Sequence, residues 1–136
     1  MTRSKSPLPT PSAPPGRARI LVIDDDSLVR VSLGHILSFD YVVTLCASGH
    51  EALARLGGGE RFDAILCDVN MPGMDGPDVY DAMEVLAPEQ LRRTIFLTGG
   101  AYTTRAQSFL ARIDNEQMEK PFDFEALRAV IARVTG

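Results

Sequence analysis

Short apolar runs alternate with stretches of helical period along most of the chain. Strands are predicted at four apolar runs, residues 20–23, 42–46, 64–67 and 95–97, and a short fifth strand is predicted around residues 117–119. Helices are predicted at residues 28–37, 49–56, 77–86 and 103–113, and a last helix is predicted after Asp123, which suits the N-cap position. The chain therefore contains five predicted strand–helix units.

The apolar character of these runs predicts how the strands are arranged. Strands without polar alternation are buried on both faces, as in a parallel sheet covered by helices on each side. The predicted fold is therefore α/β, with five parallel strands and helices on both faces. In such sheets ligands bind beyond the carboxyl ends of the strands, which directs attention to the residues that follow each strand.

Those residues form a chemically coherent set. Asp24–Asp26 follow the first strand, Asp68 follows the third, Thr98 the fourth and Lys120 the fifth. Two carboxylates about 4 Å apart repel by roughly 4 kcal/mol at an effective dielectric of about 20. A hard, oxygen-seeking cation such as Mg²⁺ removes that conflict, and three ionised acids, one lysine and one Mg²⁺ cancel in formal charge. The set therefore has the parts needed to accept a phosphoryl group on an aspartate.

Four motifs occur in order along the chain: "VIDDDSLVR", "ILCDVNMPGMDG", "IFLTGG" and "EKPF". Together they resemble the receiver domain of bacterial two-component response regulators, over residues 19 to about 134. The resemblance implies a flavodoxin-like (βα)5 fold and a role in a phosphorelay. The stretch "TGGAYTTRAQSFL" followed by "EKPF" is most similar to receivers attached to hybrid histidine kinases.

The resemblance implies a metal-assisted phosphoacceptor site. Asp68 matches the phosphoacceptor, and Asp24 and Asp25 match the acidic pair that holds the metal together with Asp68. The backbone carbonyl of Asn70 matches a further ligand. The implied cofactor is Mg²⁺, or Mn²⁺ in its place.

The resemblance also implies how the modified state is sensed. Thr98 would hydrogen-bond the phosphoryl oxygen, Lys120 would pair with the phosphoryl group, and the Lys120–Pro121 peptide bond would be cis. One position departs from the pattern, because Gln117 stands where the family usually carries an aromatic switch residue. Asp26 is expected to cap the first helix or to lie in solvent instead of binding the metal.

Two other functions remain open at this point. The Asp-x-Asp within "DDDSL" is also found in haloacid-dehalogenase-like phosphatases, where Asp24 would be the nucleophile. Leu28 stands where that family has Thr or Val, and no acidic pair follows the lysine, so this alternative is disfavoured. A degenerate receiver that serves only for docking or dimerisation is the other alternative, and the complete set of pocket residues argues against it.

Composition adds the setting. Residues 1–17 are Pro-rich and nearly free of large apolar residues, so we expect a disordered tail before a receiver domain at 18–136. Cys46 and Cys67 lie within apolar runs and predict reduced, buried thiols in a cytoplasmic protein. A net charge of −4 argues against nucleic acid as a partner, and the lack of a membrane-length apolar run argues against a membrane.

The expected partners are a sensor histidine kinase or phosphotransfer protein and a downstream protein. The expected role is that of a self-catalysed phosphoacceptor, not a turnover enzyme.

Overall fold

A computed structural model describes residues 17–99 and 103–136 of the chain. Five parallel strands form one sheet in the order β2-β1-β3-β4-β5, which confirms the predicted fold class. The strands are β1 (Arg19–Ile23), β2 (Val42–Cys46), β3 (Ala64–Asp68), β4 (Thr94–Thr98) and β5 (Gln117–Glu119). The helices are α1 (Ser27–Leu37), α2 (Gly49–Gly57), α3 (Gly76–Leu86), α4 (Pro88–Leu91), α5 (Thr104–Arg112) and α6 (Phe124–Thr135).

Alternate residues of the central strands enter two separate apolar cores. Leu21 and Ile23 of β1 pack into the core beneath α2, α3 and α5, while Ile20 and Val22 pack into the core beneath α1 and α6. All four side chains are fully buried. Because both faces are covered in this way, the strands lack the polar alternation of a half-exposed sheet, as the sequence indicated.

Helix starts are set by acidic side chains. Asp26 accepts hydrogen bonds from the amides of Leu28 and Val29 at 2.9 and 3.2 Å, which confirms that it caps α1. Asp123 caps α6 in the same manner through the amide of Ala126 at 2.7 Å. Such caps satisfy amide groups that have no partner within the helix. Within the described part of the chain, no helix is long and apolar enough to cross a membrane.

The strands extend beyond the apolar runs that predicted them. β3 ends at the polar residue Asp68, and β4 has a polar residue at each end, Thr94 at its start and Thr98 at its finish. The amide and carbonyl groups of these residues continue the parallel ladder, which pairs Asp68 with Leu97. The expected tail covers residues 1–17, of which the structure describes only Arg17, and that boundary stays a prediction.

The short helix α4 was not predicted, and a buried glutamine holds it in place. Gln90 is only 2 % exposed, and its amide makes two hydrogen bonds with the backbone of Phe62, at 2.8 and 3.0 Å. The backbone carbonyl of Gln90 also accepts a hydrogen bond from the Thr94 hydroxyl at 2.9 Å. The pairing joins residues 28 positions apart, so no local pattern indicates it.

We predict that Gln90→Ala lowers the free energy of unfolding by about 2–3 kcal/mol, because it leaves the Phe62 amide and carbonyl buried without partners. Urea unfolding followed by circular dichroism measures the change. The matched control is Gln107→Ala on the exposed side of α5, which should stay within about 0.5 kcal/mol of the parent. Equal losses in the two variants would contradict the structural role of Gln90.

Candidate functional site

The carboxyl ends of the strands bring four of the predicted side chains together. Asp24 follows β1, Asp68 ends β3, Thr98 ends β4 and Lys120 follows β5. Because β1, β3, β4 and β5 are consecutive neighbours in the sheet, these ends lie side by side along one edge. The arrangement matches the general location of ligand sites in open α/β sheets.

Three carboxylates form the acidic half of the site. One oxygen from each of Asp24, Asp25 and Asp68 lies within 4.8 Å of the others. Asp24 is fully buried and Asp68 is 5 % exposed, whereas Asp25 is exposed to solvent. The donor set is all oxygen and triply acidic, and one side is open, which are the properties that suit a divalent cation such as Mg²⁺ that keeps part of its water shell.

Lys120 supplies the positive half of the site. Its Nζ lies 3.0 Å from Asp24 Oδ2 and 3.4 Å from Asp68 Oδ1, so one ammonium group bridges two acids. Partial burial disfavours the charged lysine, but the hydrogen bond to Asp24 and the charges of both aspartates outweigh it and raise the pKa of Lys120. The lysine therefore stays charged within the site. The Lys120–Pro121 peptide bond is cis, as predicted.

Asp68 is held in an environment that resists its ionisation. Burial, followed by the negative charge of Asp24, raises the pKa of Asp68 to about 6. The Lys120 ammonium and the backbone amide of Asn70 oppose that rise. One lysine is therefore too little positive charge for the acids that surround it. A second cation would relieve the remaining repulsion and favour the ionised form of Asp68.

Backbone contacts fix Asp24 in position. Its amide donates to the carbonyl of Cys46 at 3.1 Å, and its Oδ1 accepts from the amide of Asp26 at 3.0 Å. Arg30 on α1 donates from Nη1 to the Asp24 carbonyl at 2.8 Å. Sequence reasoning gave Arg30 no role. Arg30 is the only lysine or arginine within α1, and that is the one sequence feature that indicates a role for it.

The hydroxyl of Thr98 points along the sheet in this structure. Thr98 is 6 % exposed, and its Oγ1 donates to the carbonyl of Met118 on β5 at 3.4 Å. The amide of Lys120 donates to the Thr98 carbonyl at 2.7 Å. This backbone hydrogen bond links the residue that carries the hydroxyl to the residue that carries the ammonium group. The carbonyl of Asn70 stays a predicted metal ligand. The backbone amide of the same residue hydrogen-bonds to Asp68.

Gln117 takes part in helix anchoring. Its side-chain Nε2 donates to the carbonyl of Leu110, in the last turn of α5, at 2.8 Å. A phenylalanine at this position has no donor for that bond. Gly100 and Tyr102, which follow Thr98 along the chain, lie outside the described residues.

Comparisons with known proteins agree with this geometry. The family model described as "Response regulator receiver domain" matches residues 20–132. Response regulator MprA of Mycolicibacterium vanbaalenii is 36% identical over 122 residues, which cover 86% of this chain and 52% of that protein. The chain thus spans about half the length of the curated relatives it matches.

Solved structures show the same similarity. The receiver domain of sensor histidine kinase PA1611 from Pseudomonas aeruginosa, solved with a magnesium ion coordinated in its active site cleft, is 28% identical with a TM-score of 0.77 over 89% of this chain and 99% of that one. The chemotaxis protein CheY4 of Vibrio cholerae is 30% identical with a TM-score of 0.70, over 88% and 99% of the two chains. Similar chains thus include both response regulators and a kinase-attached receiver.

We predict that, without divalent metal, Asp68→Asn is more stable than the parent at pH 7.5 by about 3 kcal/mol. The folded protein holds the Asp68 proton up to about pH 6 and the unfolded chain loses it near 3.8, so the parent loses stability as the pH rises through that window. Urea unfolding in EDTA at pH 4.0 and 7.5 measures the gap, which should nearly vanish at the lower pH.

The control for this comparison is Asp114→Asn, which changes an exposed acid outside the cluster of Asp24, Asp25 and Asp68. It should show no pH-dependent difference from the parent. A gap between Asp68→Asn and the parent that is the same at both pH values would show that repulsion at Asp68 is absent.

Proposed function

The chain belongs to the family of response regulator receiver domains, and on that premise we propose that Asp68 is its phosphoacceptor. The observation that supports this assignment most is the bridging of Asp68 and Asp24 by Lys120 beside a third carboxylate. Asp68 lies at the rim of the sheet and keeps 5 % exposure, whereas Asp24 is fully buried. Asp68 is thus the better placed of the two buried acids to meet a donor.

Asp24, Asp25 and Asp68 would hold Mg²⁺, with the Asn70 carbonyl as a further ligand. When bound, the cation supplies positive charge beside the transferred phosphoryl oxygens and favours the ionised carboxylates. These residues fit that ion, because every side-chain ligand atom is a carboxylate oxygen and because the exposed Asp25 leaves one side of the site open to water. Mn²⁺, which also prefers oxygen ligands, fits the same set.

The residues of the chain then carry out a direct transfer. An oxygen of the Asp68 carboxylate attacks phosphorus, and the bond from phosphorus to the donor atom breaks. The donor leaves with the bonding electron pair and takes up a proton from solvent. Lys120 Nζ stabilises the charge on the phosphoryl oxygens, and Thr98 Oγ1 leaves the Met118 carbonyl to donate to one of them.

We further propose a phosphohistidine of a sensor histidine kinase or phosphotransfer protein as the donor. Response regulators are signalling proteins, and a similar chain is itself the receiver domain of a sensor histidine kinase. One phosphoryl group enters per Asp68, so the domain is a self-catalysed acceptor and not a turnover enzyme. The output is a changed protein-interaction surface around α5 and β5, which adjoin Thr98 and Lys120.

The alternative with Asp24 as nucleophile is disfavoured by the same contacts. Asp24 Oδ1 accepts the Asp26 amide and Oδ2 accepts Lys120, so both oxygens are already engaged in a fully buried position. The docking-only alternative requires a damaged pocket, and the described pocket has its acids and its lysine within reach of one another.

We predict that acetyl phosphate with Mg²⁺ labels the parent protein with one phosphoryl group, and that Asp68→Asn abolishes the labelling. Intact-mass spectrometry counts the groups, and EDTA should prevent their addition. Asp26→Asn is the control, because asparagine also caps a helix and Asp26 lies outside the acidic cluster. Labelling that survives Asp68→Asn and disappears in Asp24→Asn would contradict the assignment.

We predict that Lys120→Ala keeps the fold but uncouples phosphorylation of Asp68 from the surface. Without the ammonium, nothing draws β5 toward the phosphoryl group, so amide NMR shifts of α5 and β5 should change far less on phosphorylation than in the parent. Lys120 and Lys5 are the only lysines of the chain, and Lys5→Ala is the matched control. Full-sized shifts in phosphorylated Lys120→Ala would refute this role.

A further inference from the structure

Helix α5 is the first regular element after the hydroxyl of the site. Thr98 ends β4, and only four residues separate it from Thr103, the N-cap of α5. The Thr103 side chain accepts from the Ala106 amide at 3.1 Å, which fixes the first turn. The start of α5 therefore lies close to Thr98 along the chain.

A single arginine ties this helix start to another element. Arg105 Nε lies 3.1 Å from Asp75 Oδ2, and its Nη2 lies 3.4 Å from Asp75 Oδ1 and 2.8 Å from Asp78 Oδ1. The guanidinium group therefore contacts two carboxylates at once. Isolated exposed ion pairs contribute little, but a multidentate arginine within a network of charges is the geometry in which they do contribute.

The two acids are themselves held in place. Asp75 Oδ1 accepts from the Asp78 amide at 3.0 Å, and Asp78 Oδ2 accepts from the Asp75 amide at 3.2 Å, which together form a capping box at the start of α3. Burial opposes the ionisation of Asp75, but hydrogen bonds from Arg105 and from Asp78 lower its pKa overall. Arg105 thus contacts a preorganised acceptor.

The capping box is coupled to the phosphoacceptor strand. The Gly76 amide donates to the carbonyl of Val69, the residue after Asp68, at 2.8 Å. A Cβ at position 76 would lie 2.9 Å from the Val69 Cα, so the two backbones are in direct contact. The Arg105 bridge therefore joins the segment that follows Asp68 to the helix that follows Thr98.

The other contacts of α5 are of a different kind. Its last turn is bound by Gln117 at the Leu110 carbonyl, and Phe109 packs edge-on against Phe96 and Tyr80 at centroid distances of 5.1 and 5.4 Å. Those contacts anchor the middle and the end of the helix. Arg105, whose side chain is 56% exposed, holds the start, next to the connection from Thr98.

We propose that Arg105 is a positioning residue that holds α5 in the arrangement in which Thr98 bonds to Met118, and so opposes the movement of Thr98 toward a phosphoryl group on Asp68. This inference rests on the proposed function and names a regulator of the same site. Three contacts of a planar group tolerate little displacement, so a shift of the helix start breaks them together. A contact that stabilises only one of two arrangements lowers the population of the other.

Beryllofluoride, a noncovalent analogue of the phosphoryl group on a carboxylate, tests the proposal in the full chain with saturating Mg²⁺. Fluorine NMR of the bound species gives the affinity. We expect Arg105→Ala to bind beryllofluoride about threefold more tightly than the parent, with Mg²⁺ affinity in the absence of beryllofluoride unchanged. Arg105→Lys, which keeps the charge but not the fork, should lie between the two.

Two further comparisons separate positioning from general destabilisation. Gln107→Ala, on the same helix, should bind like the parent, and high salt should narrow the difference in affinity between the parent and Arg105→Ala. Binding by Arg105→Ala that is equal to or weaker than that of the parent overturns the proposal. A parent protein that binds no beryllofluoride overturns the proposed function as well, which distinguishes the two failures.

Discussion

The crowding of carboxylates around one lysine is the constraint on which the site depends. Three acids and one ammonium group meet at the end of a buried sheet, and two of the acids, Asp24 and Asp68, are buried where solvent screens them poorly. Burial first, and the negative charge of Asp24 second, raise the pKa of Asp68, and the Lys120 ammonium does not fully offset them. A site built in this way favours the arrival of a cation, and with it the arrival of a phosphoryl group whose charge the cation and the lysine share.

The fold supplies the rigidity that keeps such a charged cluster in place. β1 and β3 are buried on both faces by two apolar cores, so the strand ends cannot move apart to relieve the repulsion. Movement is left to the periphery, where α5 is held at its start by an exposed arginine and at its end by a glutamine amide. In the proposed function, the rigid strands would carry the phosphoryl chemistry and α5 would carry the conformational response.

Local patterns predicted the features that local physics determines. Apolar runs located four of the five strands, Asp123 was predicted to cap the last helix, Asp26 was predicted to cap α1 or to lie in solvent, and the resemblance gave the cis bond before Pro121. The convergence of Asp24, Asp68 and Lys120 followed from the rule that the ends of parallel strands share an edge. Each of these predictions depends on residues close together in the sequence or on the known arrangement of strands in a parallel sheet.

Other features depend on partners far apart in sequence. Gln90 pairs with the Phe62 backbone and Arg105 bridges to Asp75, in each case across about 30 positions, and no periodicity encodes such a pairing. Arg30 reaches the Asp24 carbonyl across the turn from β1 into α1, a contact over six positions that the apolar pattern does not indicate. Gln117 looked like a departure from an aromatic position, and the structure gives it a helix-anchoring bond that sequence alone does not indicate.

The claim that the acids need a cation is tested most directly by the dependence of unfolding free energy on Mg²⁺. Mg²⁺ at ten times its dissociation constant should stabilise the parent by about 1.4 kcal/mol at pH 7.5. Asp25→Asn removes an exposed member of the cluster and should reduce that gain at the same Mg²⁺ concentration, whereas Asp26→Asn changes the adjacent cap and should keep it. A parent protein that Mg²⁺ does not stabilise, or equal gains in the two variants, would contradict the account.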